Sequence, residues 1–189
     1  DLKTIRFIDR MMNAGVRVFK IEGRARGAEY VYSVIRCYKE AMASVLDGTF
    51  TEEKKDEWDK RLATVFNRGF WDGYYQGQRL GEWNSHYGSC ATEKKVYVGR
   101  GVKYFSKLGV AEFTCEACEF EPGDRLLVTG PTTGVMYVTP DEIHGDNGAV
   151  AKAEKGTRVS IAVPEKVRPS DKLFKLVSTG NGLDNKTKQ

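Results

Sequence analysis

Hydrophobic periodicity changes once along this chain, near Lys95, and the change limits the possible folds more than any other feature. Before it, apolar residues recur every three or four positions: Leu2, Ile5, Ile8, Met11 and Met12; then Tyr30, Val34, Cys37, Tyr38, Ala41 and Val45; then Trp58, Leu62 and Phe66. That spacing predicts three helices. Asp1 caps the first and Gly15 stops it. The second runs from about Ala28 to Leu46 and ends at Asp47-Gly48, and a shorter third opens at Thr51-Glu52-Glu53. After Lys95 the runs are short and alternating, over 95–105, 109–118, 124–129, 134–139, 148–153, 157–163 and 172–177. Pro122-Gly123-Asp124, Gly130-Pro131, Gly145-Asp146-Asn147-Gly148, Lys155-Gly156 and Pro169-Ser170-Asp171 punctuate them. Many short strands with regular turns predict a small closed β-barrel. The fold class is therefore α+β, helices first and an all-β module second.

Four segments follow. Residues 1–66 form the helical part, 67–93 an aromatic and glycine-rich connector, 94–177 the β-barrel, and 178–189 a polar, disordered tail. With 189 residues, one or two domains are expected. The formal charge of +4 permits nucleic-acid binding without arguing for it. No apolar run is long enough to span a membrane, so no membrane partner is expected. Four cysteines without a secretory leader point to free thiols in a reducing, cytoplasmic setting.

Between the first two helices, residues 16–22 read as a buried strand, Val16-Arg17-Val18-Phe19-Lys20-Ile21-Glu22, followed by Gly23-Arg24. Alternation puts Val18, Lys20 and Glu22 on one face. Opposite charges at the end of a strand that feeds a helix suit the mouth of an α/β barrel or sheet. Lys20, Glu22 and Arg24 are thus the candidate catalytic residues, with Arg24 offering a planar fork to an anion. The alternative is a structural ion pair at a strand end. A lone strand cannot make a sheet. Either the chain self-associates through that exposed edge, or it is the last part of a larger α/β barrel, as the lack of a Met before Asp1 favours.

Other constellations carry weaker chemistry. Cys115-Glu116-Ala117-Cys118 has the spacing of half a zinc site or a redox pair, but four ligands are needed and Cys37, Cys90, His86 and His144 are scattered. No metal site is assigned. In a strand, Phe113, Cys115 and Ala117 share one face and Cys118 takes the other, giving one core thiol and one partly exposed thiol. His86 and His144 read as surface or loop histidines. Phe70, Trp71, Tyr74, Tyr75, Trp83 and Tyr87, interleaved with Arg68 and Arg79, suit either RNA stacking or an interface between the two parts. Lys94, Lys95, Arg100, Lys103 and Lys107 make a basic cluster near the first strand.

Asp1-Leu2, Ala14-Gly15-Val16, Phe19-Lys20-Ile21-Glu22-Gly23-Arg24, Glu29-Tyr30-Val31 and Tyr38-Lys39-Glu40-Ala41 together resemble the core of the collagenase-like peptidases. These are the family numbered thirty-two among peptidases of unknown catalytic type. Asn67-Arg68-Gly69-Phe70 with Gly73-Tyr74 resembles the family's second signature, which makes Arg68, with Arg24, a candidate RNA- or substrate-binding residue. The β-module resembles the carboxyl-terminal barrel of the transfer-RNA hydroxylation subgroup and the second domain of translation elongation factors. The resemblance implies a missing amino-terminal α/β (TIM-like) barrel, and transfer RNA as a partner. It implies a parent enzyme that hydroxylates a transfer-RNA uridine, with peptidase activity or a non-catalytic RNA- or protein-binding role as alternatives. It also implies a four-iron–four-sulfur cluster in the full-length parent, held mostly by cysteines upstream, with no cofactor in this segment. Many members carry a cysteine directly after the Asp-Leu pair, where this chain has Lys3.

Overall fold

The computed structural model describes residues 1–77 and 88–180. The chain divides into two compact units. One comprises Asp1–Thr92 with the residues from Thr179 onward, the other Glu93–Ser178.

In the first unit a 3-10 turn (Ile5–Phe7) runs into α1 (Ile8–Asn13), followed by α2 (Ala28–Leu46) and α3 (Glu52–Thr64). The caps that the sequence announces form as local chemistry requires. Gly15, at φ +95°, ends α1, with Val16 N donating to Met11 O and Gly15 N to Met12 O. Gly48, at φ +76°, ends α2 the same way, with Thr49 N reaching Ser44 O at 2.8 Å. Only a residue without Cβ takes that left-handed position at little cost. Thr51 caps α3 through its hydroxyl, and Glu52 and Glu53 sit in the first turn, where the helix dipole favours them. Ile5, Ile8, Val34, Cys37, Ala41, Trp58 and Leu62 form the core of this unit.

Residues 16–22 form no strand. The segment is irregular, and Val18 is 85% exposed. A strand exists only where a second strand takes up its N–H and C=O groups, and no partner for this one lies among the described residues.

The second unit is one eight-stranded antiparallel sheet in the order β4-β3-β8-β1-β2-β7-β5-β6. Its strands are β1 (Glu93–Phe105), β2 (Val110–Cys115), β3 (Leu126–Gly130), β4 (Gly134–Val138), β5 (Ile143–Gly145), β6 (Gly148–Val150), β7 (Arg158–Ala162) and β8 (Lys172–Ser178). β1 is the spine. Its first half pairs with β8 and its second half with β2, and a register irregularity interrupts each ladder, at Tyr97/Gly99 and at Gly101/Lys103. Such bulges sharpen twist and bend a strand. Gly99 lies where a Cβ would fall 1.7 Å from the Thr114 carbonyl oxygen, so this approach needs glycine.

One core cluster draws on both ends of the sheet: Val98, Phe113, Leu126, Met136, Ile143, Ile161 and Leu173 belong to it. A single sheet whose one face encloses a common core must curl. It is not closed, however. β4 and β6 stand at opposite ends, and no ladder joins them among the described residues. β6, three residues long, pairs only with β5 among the described residues, so the sheet ends there.

Candidate functional site

The loop from Val16 to Gly27 carries the three charged residues singled out above. Its end is a turn in which Arg26 N donates to Gly23 O at 3.1 Å, with Ala25 at φ +58°. Glu22 Oε1 accepts from the Arg24 backbone N–H at 2.9 Å, so the carboxylate braces the turn. Gly23 is packed tightly: a Cβ there would lie 2.8 Å from Val31 Cγ2 on α2. Lys20, Glu22 and Arg24 are all exposed. Among the described residues no ion pair joins Lys20 to Glu22, so the structural pair weighed above does not form. The structure brings Glu22 and Arg24 together through the backbone and leaves both the Lys20 ammonium and the Arg24 guanidinium facing solvent.

Arg26, two residues on, is better held. Its guanidinium lies 4.0 Å from the Phe66 ring centroid and 5.7 Å from that of Tyr30, and Nη2 approaches Asp1 Oδ1 at 3.8 Å. Asp1 Oδ2 accepts from the Arg68 backbone N–H at 2.9 Å. The Asn67-Arg68-Gly69 signature is therefore tied to Arg26 through Asp1. Asn67 is buried. Its Nδ2 donates to Val65 O at 3.0 Å, its Oδ1 accepts from Gly69 N at 3.2 Å, and its carbonyl accepts from Cys90 N at 2.7 Å. A buried amide with both ends satisfied fixes the backbone of Arg68. Sequence reading missed Arg26. The signal available was an arginine just ahead of the Gly27 cap of α2, close in sequence to the aromatic Tyr30.

Two ionic networks lock the helices and were likewise missed. Arg61 grips Glu40 with both guanidinium nitrogens, Nη2 reaching Oε1 at 3.1 Å, and Trp58 Nε1 donates to Glu40 Oε2 at 3.2 Å. Hydrogen bonding to Arg61 holds the Glu40 carboxyl below its usual range. Arg6 reaches Glu52, Asp56 and Asp59 at 2.7–2.8 Å, and Lys3 Nζ reaches Asp59 Oδ1 at 2.8 Å. Lys3 also sits 4.6 Å from the centroid of Phe70. In the connector, Trp71 and Tyr74 meet edge to face at 5.3 Å and Tyr75 approaches Phe7 at 6.2 Å. Arg79, Trp83, His86 and Tyr87 lie outside the described residues.

The thiols do not follow strict strand alternation. β2 ends at Cys115, where Glu116 N and Ala117 N both donate to Val98 O, at 2.7 and 3.0 Å. The chain pivots there, Ala117 is exposed, and Cys118 comes back against the core that contains Cys115. Burial pushes the Cys115 thiol up to about 11, and that of Cys37 likewise, so both stay protonated at neutral pH. All four cysteines are free. Among the described residues no group of three or more His, Cys, Asp or Glu side chains could hold a metal ion. An iron–sulfur cluster does not fit these residues: Cys37 and Cys115 are buried thiols in different units, and Lys3 is engaged with Asp59. His144 is exposed, with Nε2 3.3 Å from Glu142 Oε2. No helix among the described residues is long and apolar enough to cross a membrane.

Comparison with known proteins completes the picture. The model of peptidase family U32 matches residues 1–85. A Porphyromonas gingivalis protein named "Collagenase" is 64% identical over 175 residues, which are 93% of this chain and 42% of that one. A Methanocaldococcus jannaschii protein named as an uncharacterized protease is 32% identical, over 95% of this chain and 44% of that one. The "tRNA hydroxylation protein P" of Haemophilus influenzae is 24% identical, over 88% of this chain and 36% of that one. The chain thus spans less than half the length of these curated relatives. The crystallised C-terminal domain of a Geobacillus thermoleovorans chain classed with the U32 peptidases aligns at a TM-score of 0.40 and 21% identity. That alignment covers 42% of this chain and 90% of that one. With a family model on its first 85 residues and relatives of this identity along nearly its whole length, the chain belongs to peptidase family U32.

Proposed function

We propose that this chain is the carboxyl-terminal part of a longer U32 protein that acts on transfer RNA, hydroxylating a uridine, and that the Lys20–Arg24 loop supplies phosphate contacts. The observation that carries this reading is the loop geometry. Two cations, Lys20 and Arg24, face solvent on a turn held in place by Glu22 and by the close packing of Gly23. Exposed cations on an ordered turn meet what a phosphate backbone requires. Arg68, whose backbone the Asn67 amide and Asp1 fix, is a second candidate contact. The relative named for transfer-RNA hydroxylation, similar along 88% of this chain, supports the same reading.

In this proposal the first unit is the end of a TIM-like barrel, and residues 16–22 become a strand when the upstream strands are present. The β-unit is a counterpart of the second domain of elongation factors. An iron–sulfur cluster, if the parent holds one, is built from residues outside this chain, and no step is assigned to it. Self-association through the exposed 16–22 edge is the competing use of that segment. The proposed setting is the cytoplasm.

A second reading is peptide hydrolysis by the parent, favoured by 64% identity to a protein named "Collagenase". One experiment separates the two. Transfer RNA from cells lacking the full-length gene, and from cells complemented with it, is digested and analysed by mass spectrometry for hydroxylated uridine. Loss and recovery of that nucleoside are expected. Recovery should fall at least tenfold with the full-length variant Lys20→Glu, Arg24→Glu. Unchanged nucleosides, together with gelatin cleavage that survives repurification, would replace the first reading by the second.

A further inference from the structure

The β-unit contains a groove that the reading above does not use. It has a volume of about 800 Å³ and lies where the β1–β2 hairpin, the segment Thr139–Glu142 and the end of β7 meet. Phe105, Val110, Pro140, Ile161 and Ala162 make it predominantly apolar. Leu108, 74% exposed at the hairpin tip, stands at its lip. Two carboxylates, Asp141 and Glu142, are exposed on the rim, and no lysine or arginine is among its lining residues. His144 completes the rim.

The backbone beside it is unusual as well. On one side β7 pairs with β2 along its whole length, Ala162 opposite Val110 and Ile161 opposite Ala111. On the other it pairs with β5 at one position only, Ser160 opposite His144. Beyond Ser160 the pairing with β5 stops, and Ala162, the next residue whose backbone groups face that side, borders the groove without a partner strand there among the described residues. An open strand edge takes an added strand, apolar pockets take its alternate side chains, and acidic rims take cations.

We propose that this groove docks an extended peptide segment of a partner protein in which lysine or arginine alternates with aliphatic or aromatic residues. The segment joins the sheet at the open backbone of Ala162, places its apolar side chains on Phe105, Val110 and Pro140, and sets its cations against Asp141 and Glu142. The proposal does not depend on the transfer-RNA reading.

The test uses the whole chain, residues 1–189, and a capped Lys-Val-Lys-Phe-Lys-Val peptide followed by amide NMR shifts. Saturable shifts are expected, confined to Leu108–Val110, Asp141–His144 and Ser160–Ala162. The Glu-Val-Glu-Phe-Glu-Val counterpart should bind at least tenfold more weakly, and Asp141→Lys with Glu142→Lys should reverse that preference. Leu108→Ser, at an exposed position, should weaken the lysine peptide at least fivefold while leaving other shifts in place. A version N-methylated at alternate amides should lose binding. Equal affinity for the acidic peptide, shifts elsewhere, unchanged binding of the N-methylated peptide, or tighter binding of butylamine than of the peptide would each overturn the proposal. So would concentration-dependent dimerisation of the chain through the same residues. The wild-type peptide comparisons decide the matter even where a variant fails to fold.

Discussion

The two units use apolar residues differently. The β-unit builds its core mainly from its own strands, with Phe113, Leu126, Val128 and Leu173 fully buried, and Phe120 joins them from the β2–β3 connection. The helical unit buries Ile5, Ile8, Cys37 and Ala41 as completely, yet leaves Leu2, Val18, Ile35, Leu46, Tyr74 and Tyr75 exposed. A curled sheet supplies most walls of its core and connecting residues such as Phe120 and Val167 supply others, whereas three helices and a loop leave more of their apolar side chains uncovered. Apolar side chains are thus covered more fully in the β-unit than in the helical unit among the described residues. Among the described residues the β-unit leaves Leu108 and Tyr137 as its exposed large apolar side chains, and the helical unit leaves several more.

The sharpest way to break this comparison is at the β core. Phe113→Ala should cost about 3–5 kcal/mol, because a fully buried ring leaves a cavity that a curled sheet cannot collapse. Urea unfolding followed by hydrogen exchange of β2 amides measures it, and a loss below about 1 kcal/mol would mean the core is loosely packed. Next in size is Gly99→Ala, expected to cost about 1–3 kcal/mol by forcing the β1 backbone off the Thr114 carbonyl. Ordinary β-unit stability in that variant would show that the bulge relaxes freely.

Glu40→Gln probes the helical unit. The folded carboxyl titrates below its unfolded value because Arg61 hydrogen-bonds its ionised form. Its contribution is therefore fully present above the ordinary carboxylate range and is lost as pH falls through the depressed folded value. The pair is partly exposed, so solvent screening keeps the effect under about 1 kcal/mol. Unfolding measured from pH 7 to pH 3 should show a shallower acid loss in the variant, and parallel curves would remove the pair from the stability account. Smallest is Val18→Ser, expected within about 0.5 kcal/mol in this chain because the side chain is 85% exposed. The same change in the full-length protein should cost more than about 1 kcal/mol if residues 16–22 become a buried strand there. Equal, negligible effects in both would break that reading.

The helices were legible because their determinants are local. Gly15, Gly48 and Thr51 act within one turn of the backbone they cap, and α2 runs from Ala28 to Leu46 as its periodicity predicts. Seven of the β-unit's strands lie where alternation places them, while β5, Ile143–Gly145, was hidden beside a turn signal. It is three residues long, and its hairpin with Gly148–Val150 identifies it as a strand more than its own sequence does. Of the candidate site, the charged loop was legible as a motif, but the roles within it were not. Glu22 braces a backbone N–H rather than pairing with Lys20, and the guanidinium that packs best is that of Arg26.

By itself, then, the sequence determined the two periodicities, the helix ends and the family signatures around Lys20–Arg24 and Asn67–Phe70. Tertiary structure decided the rest: that residues 16–22 stay unpaired, that the β-sheet curls without closing, that Cys118 turns back toward Cys115, and that an acid-rimmed groove opens where β5 leaves β7. The physical reason is the range of the hydrogen bonds. A helix satisfies its backbone four residues away and can be read from a short window. A strand, a curled sheet or a groove depends on partners dozens of residues distant, and their presence is a property of the folded chain.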